Sequence, residues 1–189
     1  MSDPMGCRRL PLICHPDTPA KAVRSIAVDV ELSFDDGFAL CFIVDGEISA
    51  IVLPQGEGEL VIADTGTDGL WQSSCFEAFL TEEGQPDYTE FNYAPDGRWA
   101  CYQFDDYRSL LRVDQLAPWR MEVERSPGRY AMRIEPGIFP DTGSKLALAA
   151  VIEEVDGTKS YWALRHASGK PDFHHPDCFA LTLGAPDAA

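Results

Sequence analysis

The stretch from Leu70 to Arg108, LWQSSCFEAFLTEEGQPDYTEFNYAPDGRWACYQFDDYR, limits the possible folds more than any other part of the chain. It holds ten of the aromatic side chains, in a protein with 4 Trp, 6 Tyr and 10 Phe. They alternate with polar residues at period two, the mark of strands that turn one face to a core. Two glutamates, Glu77 and Glu90, interrupt the apolar runs. A carboxylate inside a strand such as CFEAFL must be solvated in a groove or paired, because burying it alone is too costly. This hairpin region is therefore the leading candidate for a functional surface.

The rest of the chain is punctuated in the same way. Strands are predicted over Val23–Phe34, Phe38–Val44 and Ile48–Leu53, separated by Asp-Gly turns. Phe76–Thr81 and Tyr88–Ala94 flank the loop EEGQPD, and Ala94-Pro95-Asp96-Gly97 leads into Trp99–Phe104. Met121–Glu124, Tyr130–Ile134, Lys145–Val155, Lys159–Leu164 and Phe179–Leu183 complete the set. Helical signals are confined to short turns at Tyr107–Leu111 and Gly137–Pro140. Such spacing predicts an all-β fold, a single antiparallel β-sandwich of jelly-roll or immunoglobulin-like type with about ten strands. The expected organisation is an extended arm over residues 1–20, the sandwich over 21–184 and a disordered tail over 185–189.

Length and charge narrow the function classes. At 189 residues the chain suits one domain that needs neither disulfides nor metal to fold. A net charge of −16 argues against nucleic acid and anionic membranes as partners. No run of about 18 apolar residues is present to span a bilayer. The N-terminus carries Arg8 and Arg9 without a signal-peptide core, so a cytoplasmic location is the default expectation. The 6 cysteines form no CxxC pair. Cys41, Cys75, Cys101 and Cys178 sit among apolar neighbours and read as reduced, unpaired core residues. No cofactor is implied. A metal site built from His166, Asp172, His174 and His175 is disfavoured, because adjacent side chains on a strand point to opposite faces.

The turns set an approximate register. If Thr81 and Tyr88 close one hairpin, Glu77 faces Asn92 and Phe79 faces Glu90. If Ala94 and Gly97 close the next, Asn92 faces Trp99 and Glu90 faces Cys101. Period two then gathers Glu77, Glu90 and Asn92 on one face, with Trp71 and Trp99 at its margins. Phe76, Leu80, Phe91 and Tyr93 fall on the opposite, core face. Hydrogen-bonding groups beside aromatic rings suit a sugar, which has an apolar ring face and a belt of hydroxyls. Desolvation should raise the pKa of Glu77 unless a cation or amide compensates. Arg98, Arg108 and Arg165 are close in sequence terms, so one of them is expected to pair with Glu77 or Glu90.

These motifs resemble the superfamily of DOMON-like domains and family 9 carbohydrate-binding modules. The resemblance rests on Trp71, Glu77 and Phe79, then Tyr88, Phe91 and the Ala-Pro-Asp-Gly turn, and on the C-terminal SYWALRHASGKPDFHHPDCFAL. It covers residues 20–183 and is nearest to a bacterial subgroup of stand-alone DOMON-like proteins. The resemblance implies a sugar held between two tryptophans, at positions matching Trp71 and Trp162, with Glu77 as a sugar-binding residue. Phe173 and His174, in the loop before the last strand, complete the candidate set. The family's sugar-binding Arg falls at Asn92 and a common Asp at Ser74, so part of its clamp is missing. Haem-binding members use Met and His ligands; the hairpin region holds no Met, and His166, His174 and His175 all lie at the C-terminal end.

The expected function is thus non-enzymatic binding of a small polar ligand of sugar type, by a monomer or weak homodimer. The rival readings are a glycan hydrolase with Glu77 and Glu90 as acid and base, and a protein-interaction module using the same groove.

Overall fold

The alternation at period two becomes alternation between two apolar clusters. The computed structural model describes residues 6–33 and 37–184. Its strands are β1 (Arg8–Cys14), β2 (Val23–Ser33), β3 (Gly37–Gly46), β4 (Gly58–Glu59), β5 (Cys75–Thr81), β6 (Tyr88–Tyr93) and β7 (Trp99–Asp106). They continue with β8 (Ser109–Asp114), β9 (Arg120–Ser126), β10 (Arg129–Glu135), β11 (Lys145–Glu153), β12 (Lys159–Ala163) and β13 (Leu181–Thr182). Pairing is antiparallel and runs β4-β9-β10-β3-β2-β1-β12-β11-β5-β6-β7-β8, with β13 added on β11.

On β5, Phe76 and Ala78 face the larger cluster, while Cys75 and Phe79 face the smaller one. On β6, Phe91 and Tyr93 go to the larger and Tyr88 to the smaller. On β11, Leu146, Leu148, Ala150 and Ile152 go to the larger, and Ala147, Ala149 and Val151 to the smaller. The larger cluster joins both halves of the path. Phe42 of β3 lies 4.9 Å from Phe76 of β5, ring to ring, and Phe76 stacks on Tyr130 of β10. Fully burying each such ring contributes about 1.5–3 kcal/mol. The smaller cluster covers the outer face of β5, β6, β7 and β11 and includes Phe173 and Cys178 from the segment after β12. That outer face is where the site forms.

Several expectations need correction. The fold is all-β and antiparallel, but the described residues form 13 strands in one hydrogen-bonded sheet rather than about ten in two separate sheets. Within the segment expected as an arm, Arg8–Cys14 is built into the path, pairing with β2 on one side and β12 on the other. Ile48–Leu53 is not a strand: Ile48–Ala50 forms a 3-10 turn, and Ile51 alone bridges to Glu154. Tyr107–Leu111 is not helical. Tyr107 and Arg108 make the β7–β8 turn, with Arg108 in the left-handed region at φ 54°, and Ser109 onward is strand. Gly137–Pro140 is irregular and begins with Gly137 at φ 77°. Part of the expected Asp35-Asp36-Gly37 turn and the 185–189 tail lie outside the described residues.

Candidate functional site

The β5–β6 register is the expected one, with Glu77 opposite Asn92 and Phe79 opposite Glu90. The β6–β7 register differs by one residue. Ala94 N–H donates to the Arg98 carbonyl and Gly97 N–H to that of Ala94, so three residues form the loop, with Gly97 at φ 91°. A left-handed glycine ending a three-residue loop adds a bulge and moves the pairing by one position. Asn92 therefore faces Ala100, Glu90 faces Tyr102 and Tyr93 faces Trp99. A one-residue slip exchanges the faces of a strand. Tyr102 and Phe104 join the outer face, and Trp99 turns into the larger core, only 1% exposed, with Nε1–H donating to the Ala63 carbonyl at 2.8 Å.

On this face lies a cavity of about 490 Å³. Glu77, Glu90, Tyr102, Phe104 and Val151 line it from the sheet, Tyr161 from β12, and Pro171, Phe173 and His174 from the segment beyond. Asp68, Trp71, Arg108 and Leu110 complete the lining. Small side chains make room beside Glu77: it pairs across to Ala149, which pairs in turn with Ala163. Trp71, held on the 3-10 turn Leu70–Gln72, is half-exposed and meets the Tyr102 ring edge-on at 6.0 Å.

Glu77 is 3% exposed and Glu90 5%. Glu90 Oε1 accepts a hydrogen bond from Asn92 Nδ2 at 2.6 Å. Among the described residues, no donor or cation meets the Glu77 carboxyl. Burial, then the nearby Glu90 charge, pushes the Glu77 pKa well above the ordinary carboxyl range. Burial also pushes Glu90 up to about 7, against the Asn92 amide and Arg108, which favour its ionised form. Among the described residues, none of the expected arginines, Arg98, Arg108 or Arg165, forms an ion pair with Glu77 or Glu90. Arg98 pairs with Asp96, and Arg108 donates to Asp172 Oδ1 at 2.7 Å.

His174 closes the site from above. Burial and then Arg108 lower its pKa to about 4, so it is neutral near pH 7. The Arg108 N–H donates to the Tyr88 hydroxyl at 3.2 Å, and that hydroxyl lies 2.8 Å from His174 Nδ1. Tyr88 O–H then donates to Nδ1, leaving the proton on Nε2, an assignment inferred from the network. Nε2 stands 3.7 Å from Glu90 Oε2, beyond hydrogen-bond length, and with a neutral imidazole the contact is no ion pair. Asp172 ties this segment down. Its carboxylate accepts from Tyr107 Oη, Arg108 and the backbone N–H of His174. On the other rim, Tyr102 O–H donates to Asp68 at 2.6 Å.

Five of the expected residues, Trp71, Glu77, Glu90, Phe173 and His174, line one cavity. Asn92 is fully buried behind Glu90, with its Oδ1 accepting from the Cys75 thiol. Trp99 and Trp162 do not reach the cavity. Trp162 is 5% exposed, belongs to the larger core and donates to Ser160 Oγ at 3.0 Å. Its neighbour Tyr161 takes the outer face instead, so the expected two-tryptophan clamp does not form. Arg108, expected near the groove as a partner for a glutamate, lines it without that pairing, and the residues that sequence reasoning passed over are Asp68, Tyr102, Phe104, Leu110, Val151, Tyr161 and Pro171. The correct register alone would have revealed Tyr102 and Phe104.

Fold and site together define an all-β protein with an aromatic-walled, carboxyl-bearing cavity on the outer face of its sheet. The fold is similar to that of a solved "putative carbohydrate-binding protein" from Bacteroides uniformis, with a TM-score of 0.56 and 15% identity, covering 91% of this chain and 84% of that one. At this identity the likeness is one of fold. No family model and no curated protein matches the chain.

Proposed function

We propose that this protein is a non-enzymatic module that binds a small polar ligand of the sugar class in the Glu77–Glu90 cavity. The observation that carries the reading is Glu77, a buried carboxyl with no hydrogen-bond or ion-pair partner among the described residues, bordering an open cavity with aromatic walls. A buried polar group without a partner costs free energy, which a hydroxylated ligand recovers by hydrogen bonding. Trp71, Tyr102, Phe104 and Phe173 offer ring faces and edges to the apolar side of a saccharide. The fold likeness to the Bacteroides uniformis protein supports the same class. The finer assignment to DOMON-like sandwiches belongs to this proposal, as does the cytoplasmic location.

The reading predicts saturable binding of a monosaccharide or disaccharide in a calorimetric screen, weakened about tenfold or more by Trp71→Ala or Glu77→Gln. Binding that both variants leave unchanged contradicts it.

One observation favours a second reading. Two carboxyls with raised pKa values on one face, one of them at about 7, are the groups of an acid and a base in glycoside hydrolysis. In that reading Glu77 is the acid and Glu90 the base. Turnover of aryl glycosides, abolished by Glu77→Gln and by Glu90→Gln, would replace binding with catalysis.

A further inference from the structure

The donors and acceptors around the cavity are unevenly matched. Glu154 shows how this chain treats a structural buried carboxyl: equally buried at 3%, it accepts from the backbone N–H groups of Lys21 and Ala22 at 2.8 and 2.9 Å. Glu77 has no such donors. Asn92, the nearest amide, spends its Nδ2 on Glu90. Arg108 directs its Nη2 at Asp172, and the Tyr102 hydroxyl donates to Asp68. The sheet face thus presents the Glu77 and Glu90 carboxyls, with Asp68 at the rim and no charged partner within ion-pair distance of either glutamate among the described residues, while His174 Nε2–H and the remaining Arg108 N–H groups stand at the edge of the cavity. A sugar hydroxyl brings one donor and asks for one in return, whereas an ammonium brings three donors and asks for none.

We propose that the ligand is an amino sugar with a free ammonium group, seated on the Glu77 and Glu90 carboxyls with its ring against the aromatic walls. This rests on the saccharide reading above and names the class of saccharide. The same rings that stack on a sugar attract a cation through their faces.

The seat is linked to protons. The groups facing the pair are Cys75 on the same strand, Tyr102 on β7, Asp68 before β5, Arg108 in the β7–β8 turn, Tyr161 on β12, and Asp172 and His174 beyond it. Arg108 and Asp172 neutralise each other, and His174 is uncharged near pH 7. The carboxyl pair, held high by burial, therefore loses protons when the ammonium binds. Affinity for the amine rises as pH climbs toward about 7, while affinity for a neutral sugar does not rise.

The test is calorimetry on the full chain with glucosamine, glucose, N-acetylglucosamine and ethanolamine. Glucosamine is expected to bind about tenfold tighter than the two neutral sugars, with affinity that strengthens from about pH 6 to about pH 7. Glu77→Gln is expected to remove that preference. If this variant does not fold, Glu90→Gln and the pH profile of the unaltered protein decide. Glucose or N-acetylglucosamine binding as tightly as glucosamine overturns the amino-sugar assignment and leaves the saccharide reading standing. Ethanolamine binding without any sugar, or no binding at all, overturns both.

Discussion

At the scale of single residues, the site is defined by which groups hold protons. Glu90 titrates near 7 in the folded protein against an ordinary 4.5, so the folded state keeps a proton that the unfolded state loses. Its contribution makes stability fall as pH rises across that window. His174 does the opposite. Lowered to about 4 from 6.5, it makes stability fall as pH drops between those values. The two slopes, each about 1.4 kcal/mol per pH unit at most, offset one another between about pH 4.5 and 6.5. Glu77 adds to the Glu90 slope, and His166, whose pKa burial also lowers, adds to that of His174. Thermal melts of the unaltered protein should therefore show the melting temperature falling as pH rises above about 6.5, where the histidine slopes end and the carboxyl slopes remain. Glu77→Gln should flatten the fall and His174→Gln should extend it to lower pH. An unchanged profile in Glu77→Gln would mean that its carboxyl is ordinary. The partial burial of this glutamate was readable from CFEAFL. Its lack of a cation was not, because Arg108, the arginine that lines the cavity, is committed to Asp172, distant in sequence.

At the scale of elements, hairpins decide which side chains meet. The β5–β6 register follows from the loop length and was legible. The β6–β7 register depends on a bulge that the turn sequence Ala-Pro-Asp-Gly only hints at, and one residue separates Tyr102 in the site from Cys101 in the core. Gly97 holds that bulge at φ 91°, and a Cβ there would lie 2.2 Å from the Val61 carbonyl oxygen. Gly97→Ala should cost about 2 kcal/mol or more, read from denaturant melts, and should weaken ligand binding by disturbing the alignment of Glu90 with Tyr102. The strand β8 escaped sequence reading because Leu110, Leu111 and Val113 are all exposed, so no in-out alternation marks it. Its turn also carries the clamp on the segment above the cavity. Asp172→Asn should loosen that segment, with faster amide hydrogen exchange over residues 171–178 and a stability loss of about 1–3 kcal/mol. Exchange unchanged from the parent protein would show that the Arg108–Asp172 contact does not hold the segment.

At the scale of the whole molecule, the cavity joins parts that are remote in sequence. The aromatic stretch supplies Trp71, Glu77, Glu90, Tyr102 and Phe104, whereas Val151, Tyr161, Phe173 and His174 arrive from strands and a loop some 50 to 100 residues later. They reach the site because β11 inserts beside β5, and β12 and β1 carry the path on to β2. Local periodicity does not encode that order of pairing. It does encode two-faced strands, which is why the larger core was largely foreseeable and the far wall of the cavity was not. Trp162 was placed by the resemblance rather than by periodicity: its position in the chain suits a clamp, but its parity puts it in the core and Tyr161 in the site. The function proposed for this cavity requires that a saccharide sit on the buried carboxyls of the outer face. Carboxyl-carbon and indole NMR signals followed during a titration with glucose and glucosamine test it directly. The account predicts saturable shifts of Glu77, Glu90 and the Trp71 indole with one or both sugars, and a Trp162 indole that stays still. Shifts confined to residues outside the cavity, or a silent Glu77 at saturating sugar, would contradict it.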